Sequence, residues 1–138
     1  MSFPLTGTCG CGAVRFEVAE PFVSSVYCHC TRCQRRTGTG SSVNARAKAE
    51  SFRILQGEDR VHSWKPETGA EKFFCGDCGS ALFSRNPGDA AHVGVRLGTL
   101  DGDPEIRPSA RQFVAYAASW EGLPDDGLPR HSERQPPS

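Results

Sequence analysis

A mainly β domain with little helix is predicted by three features of the 138-residue sequence. Apolar residues alternate along short segments, which is the period of a strand buried on one face. Glycine- and proline-rich punctuation separates those segments, with 15 Gly and 10 Pro in the chain. The length, with 37% hydrophobic residues, suits one domain around one core.

Taken in order, Val14, Phe16 and Val18 fall on one face of AVRFEV, and FVSSVY (22–27) follows as a second strand. TRCQRRTG (31–38) is the helical candidate, one or two turns long, with Thr31 as its cap and Gly38 as its stop. GTGSS (38–42) reads as a flexible turn, since it lacks the lysine and the strand-to-helix setting of a phosphate loop. SFRIL (51–55), RVHSW (60–64), EKFF (71–74), ALFS (81–84), HVGVRL (92–97) and RQFVAYA (111–117) are further strands, with turns at PGDA (87–90) and DGDP (101–104). Tyr27, Trp64, Phe113 and Trp120 are assigned to the core, because aromatic rings bury the most surface. The domain is expected over residues 1–129. RHSERQPPS (130–138) has no apolar period and two adjacent prolines, and is expected to be a loose tail.

Charge and hydropathy exclude several functions. Sixteen basic residues balance sixteen acidic ones, so no basic excess is present to neutralise a run of phosphates, which argues against nucleic-acid binding. The apolar stretches are too short to span a membrane, and MSFPLTGTCG lacks the charged and apolar regions of a signal peptide. A cytoplasmic protein is expected.

Seven cysteines cannot all pair within one chain, and a reducing compartment argues against disulfides. They cluster as CGC (9–11), CHCTRC (28–33) and CGDC (75–78), with the short gaps of metal ligands. Two thiolates with two residues between them in a tight turn can reach one zinc ion, and Gly76 and Gly79 suit such a turn. Cys28, Cys30 and Cys33 offer three thiolates, the number a catalytic zinc keeps while leaving its fourth position free. The remaining Cys9, Cys11, Cys75 and Cys78 would then close a four-thiolate site. A rival partition joins Cys30 and Cys33 to Cys75 and Cys78 as a zinc ribbon. His29 lies between two cysteines of an alternating strand end, so its side chain should point away from theirs, and it reads as a structural histidine.

These residues resemble the glutathione-dependent formaldehyde-activating enzyme family, whose domain (the CENP-V/GFA domain) is shared with centromere protein V. The resemblance is carried by GTCGCGAVRFEV (7–18), CHCTRCQRRTG (28–38), FRILQGEDRVHSW (52–64), KFFCGDCGSALF (72–83) and WEGLPDDGLPRH (120–131). It implies the β-tent, a mainly antiparallel zinc-bearing fold also seen in type B methionine sulfoxide reductases. It also implies a structural zinc on Cys9, Cys11, Cys75 and Cys78 and a catalytic zinc on Cys28, Cys30 and Cys33. The implied reaction is that of S-(hydroxymethyl)glutathione synthase, a carbon-sulfur lyase joining glutathione and formaldehyde. One departure falls in RPSARQF, where Arg111 stands at or near a histidine that many members carry.

On this reading the three-cysteine zinc presents a small thiol to a small aldehyde. Arg32, Arg35 and Arg36 lie next to it in sequence, and their guanidinium forks are expected to bind substrate carboxylates. The competing expectation is a noncatalytic zinc-stabilised module that binds a protein partner.

Overall fold

The computed structural model describes residues 3–134. Ten strands and one helix follow one another as β1 (Leu5–Thr8), β2 (Arg15–Val18), β3 (Ser24–Cys28), α1 (Thr31–Thr37), β4 (Ser42–Lys48), β5 (Phe52–Gln56), β6 (Val61–Trp64), β7 (Glu71–Cys75), β8 (Ala81–Arg85), β9 (His92–Arg96) and β10 (Arg111–Gln112). The mainly β class is therefore the one expected. Among the described residues no helix is long and apolar enough to cross a membrane.

The strands form a three-stranded sheet, β1-β2-β5, and a seven-stranded sheet, β10-β3-β4-β9-β8-β7-β6. All neighbours are antiparallel except β10, which runs parallel to β3. The core lies between the sheets. Phe16, Val18 and Phe52 from the smaller one, with Val14 just ahead of β2, meet Ala45, Ala47, Leu82, Phe83, Val93 and Val95 from the larger. The rings of Phe16 and Phe52 lie 5.3 Å apart, and those of Phe52 and Phe83 4.7 Å, so burial of these phenylalanines joins the two layers. Trp64 and Trp120 are instead 43% and 69% exposed, contrary to the core assignment. β6 is the edge of the large sheet, and Trp120 sits in a loop that no layer covers.

Two strands carry little sequence signal. In β1 the apolar row Leu5, Gly7 is broken by a glycine, whose place is taken by the ring of its cross-strand partner Phe16. A Cβ on Gly7 would lie 2.2 Å from the Phe16 Cζ. In β4 the core-facing residues include Ala45 and Ala47, small side chains of low strand preference, set between Asn44, Arg46 and Lys48. RQFVAYA shortens to the two residues of β10, because Phe113 takes a left-handed conformation (φ 59°) and a short 3-10 turn follows.

The segment from Arg130 is not loose over its first residues. The amides of Phe113, Val114 and Ala115 donate to the carbonyls of Glu133, His131 and Ser132, and the amide of His131 donates to the carbonyl of Arg111. Backbone pairing along β10 requires no apolar period, which is why the pattern did not reveal it. Residues 135–138 of the expected tail lie outside the described ones.

Candidate metal centres

Cys9 and Cys11 sit in the β1–β2 connection, Cys75 ends β7 and Cys78 lies in the β7–β8 turn, so the first group bridges the two sheets. All four sulfurs lie within 4.8 Å of one another. A tetrahedron with zinc–sulfur bonds of about 2.3 Å has edges of about 3.8 Å. The Cys9–Cys11 and Cys11–Cys75 sulfurs lie 3.7 and 3.9 Å apart, so the donor set fits the ion. Gly79 adopts φ 79°, while Gly76 is needed for close approach, since a Cβ there would lie 2.6 Å from the His62 ring. Ser80 ties the halves together: its hydroxyl oxygen accepts from the Gly10 amide at 2.9 Å and lies 3.2 Å from the Cys78 sulfur. That hydroxyl, with the Ser80 amide, pulls the Cys78 thiol down to about 6, favouring the thiolate a metal needs.

The second group comes from the end of β3 and the start of α1. Cys28, Cys30 and Cys33 bring three sulfurs within 4.8 Å of one another. Cys30, not Thr31, caps the helix, because its sulfur accepts the Cys33 amide at 3.3 Å. Gly38 closes the helix in a left-handed conformation, as expected. The Gln34 amide nitrogen donates to the carbonyls of His29 (2.9 Å) and Tyr116 (2.8 Å) and holds α1 against β3 and the C-terminal segment. Hydrogen bonds from Cys28 and then Cys33 hold the Cys30 thiol well below the usual range. Hydrogen bonds with Cys30 and then Cys33, followed by burial, push Cys28 well above it. Three sulfurs this close cannot all be anionic without a cation among them. The structure thus separates Cys75 and Cys78 from Cys30 and Cys33, and the ribbon partition does not form.

His29 joins neither group. It is 1% exposed, its Nε2 lies 3.2 Å from the Arg111 guanidinium, and burial and then the Arg111 charge lower its pKa. A neutral ring accepts from Arg111 Nη1 through its Nε2. Arg111 is also buried. It lies 4.2 Å over the Tyr27 ring and pairs with Asp126 at 2.7 Å, so it fastens the C-terminal segment behind the second cysteine group. Asp126 carries no sequence signal because its partner lies 15 residues away.

The three arginines next to the cysteines in sequence divide in space. Arg32 donates to the Thr68 carbonyl, Arg35 is exposed, and Arg36 lies 5.5 Å over the Phe74 ring. Two further cations were not apparent in the sequence because they come from β7 and β9. Lys72 and Arg96 are both lowered in pKa by burial first, with the Cys33 charge opposing, and Cys30 also acts on both.

Fold and site together define a mainly β protein with two cysteine groups, each able to hold a metal ion such as zinc. Sequence comparison agrees. A model of the family described as "Glutathione-dependent formaldehyde-activating enzyme" matches residues 4–116, and the chain belongs to that family. A Halomonas elongata protein named "Putative glutathione-dependent formaldehyde-activating enzyme" is 31% identical over 90 residues, which are 60% of this chain and 57% of that protein. The crystal structure of a Rhodobacter sphaeroides protein is similar over 91% of this chain and 98% of that one, with a TM-score of 0.62 and 25% identity.

Proposed function

We propose that the chain is a carbon-sulfur lyase of the S-(hydroxymethyl)glutathione synthase type, adding a small thiol such as glutathione to a small aldehyde at Cys28, Cys30 and Cys33. The observation that carries this reading is the three-sulfur group itself: three donors where a closed site has four, placed at the mouth of a strand–helix junction. Zinc held there would supply the positive charge that keeps a substrate thiol ionised at neutral pH. Cys30 orders its own surroundings, because its sulfur both caps α1 and faces its two partners. In the reaction the thiol sulfur forms a bond to the carbonyl carbon. The carbon–oxygen π pair moves to oxygen, and the proton lost by the thiol ends on that oxygen, so no oxidant or reductant enters. The four-cysteine group serves the fold by joining the sheets. Unpaired thiols at all seven cysteines suit a reducing compartment such as the cytoplasm.

Exchange NMR of mixed glutathione and formaldehyde tests the reading. Catalytic amounts of the zinc-loaded protein are expected to speed interconversion of thiol and adduct, and Cys30→Ser to remove the effect. Unchanged exchange with the wild-type protein would refute it and favour the binding module.

A further inference from the structure

The register of the large sheet places a set of cations on the face that carries the second cysteine group. Cys28 pairs with Ser42, and Asn44, two residues further along β4, pairs with Arg96. Alternation therefore puts Cys28, Ser42, Asn44 and Arg96 on one face, opposite the core residues Ala45 and Val95. On β7, Phe73 pairs with Phe83 in the core layer, which turns Lys72 toward the same outer face. Arg36 of α1 reaches down to Phe74 on that strand.

Two of these cations hold buried donors with nothing to bind. Arg36 Nε and Arg96 Nη1 are sealed from solvent without a hydrogen-bond partner. The third such atom, Arg111 Nε, belongs to a guanidinium already paired with Asp126. Among the described residues none of Arg32, Arg36, Lys72 and Arg96 forms an ion pair, although eight pairs occur elsewhere. A buried guanidinium N–H left unpaired is costly, and an anion is the partner that removes the cost. The thiolates do not exhaust the positive charge. Three thiolates with one divalent ion carry one net negative charge, against three cations in Arg36, Lys72 and Arg96. The surplus suits a ligand that brings both a thiolate and a carboxylate.

We propose that Arg96, with Arg36 and Lys72, forms the carboxylate-binding half of the three-cysteine site and sets its preference for a thiol that carries a carboxylate. The inference rests on the thiol-ligating reading above. It moves the binding role from the helix arginines as a set to one helix arginine and two strand cations. Arg35 is exposed and Arg32 is occupied by the Thr68 carbonyl, so neither is needed.

The test uses cobalt-loaded protein, whose sulfur-to-cobalt absorption reports a thiol entering the site, titrated with glutathione and separately with glutathione diethyl ester. Wild-type protein should take glutathione at a concentration about tenfold or more below that of the ester, the gap expected of a charge-assisted bond. Arg96→Gln should remove most of that gap by weakening glutathione alone, Arg96→Lys should restore part of it, and Lys72→Gln should narrow it with β9 untouched. Equal midpoints for the two thiols on wild-type protein would overturn the inference without help from any variant. So would an Arg96→Gln protein that weakens both thiols alike, which is the mark of a structural role. A spectrum that neither thiol changes would overturn the thiol-ligating reading as well.

Discussion

Removing the two cysteine groups in turn separates what each does. In one variant Cys75 and Cys78 both become Ser, and in the other Cys30 and Cys33 do. Cys11 and Cys75 are 64 residues apart in sequence, so a metal across the first group closes a long loop. On the chain-entropy relation that closure is worth about 4 kcal/mol, a floor to which the metal's own bonds add. Cys28 and Cys33 are five residues apart, and the same relation gives about 2 kcal/mol. Serine also caps helices well, so residue 30 keeps its contact with the amide of residue 33. Against a total stability of about 5–15 kcal/mol, loop closure alone puts the first variant about 12 °C below wild type and the second about 6 °C below, with the loss of metal bonds adding to both, so the first should fall further. Circular-dichroism melts in the presence of zinc, with metal content by mass spectrometry, read both effects. The second variant should lose one metal per chain and the exchange activity while staying folded. Equal falls in melting temperature would refute the assignment of one group to the fold and the other to the reaction.

Two further outcomes are expected. Gly7→Ala forces a Cβ into the Phe16 ring and should cost about 1–3 kcal/mol by overpacking, and adding Phe16→Leu should recover part of that loss in urea melts. Arg111 first, and then the Leu128 amide, hold the Asp126 carboxyl below its ordinary 3.8. The contribution of this pair is therefore complete above pH 3.8 and is lost as pH falls through the lower folded-state value. Asp126→Asn should flatten the fall in stability between pH 5 and 2 by about one protonation step, and an unchanged acid limb would exclude the pair as its source.

Much of the fold was legible because the physics behind it is local. Val14, Phe16 and Val18, or Val93 and Val95, alternate since each strand has one dry face, and the turn residues between them mark where the chain reverses. Strands β1 and β4 escaped notice where small residues face the core. At Gly7 another strand's ring supplies the missing bulk, and Ala45 and Ala47 are fully buried small side chains that carry no strand preference of their own. Trp64 and Trp120 looked like core by volume, but burial depends on what covers a residue, and nothing covers an edge strand or an outlying loop.

The cysteine clusters were the strongest signal in the chain, because ligand spacing is set by the reach of two side chains across one turn. By itself the sequence determined that clustered cysteines able to hold a metal stand on a small β scaffold. Which cysteines come within reach of one ion was decided only when the sheets brought Cys9 and Cys11 to Cys75 and Cys78, across the gap between layers. The same holds for the cations. Arg36 was visible beside the cysteines, but Lys72 and Arg96 reach the site through strand register, and Arg111 leaves it to pair with His29 and Asp126. Ligand spacing within a turn is short-range geometry that a sequence displays. Charge around a site is assembled from strands distant in the chain, and only the pairing of those strands fixes it.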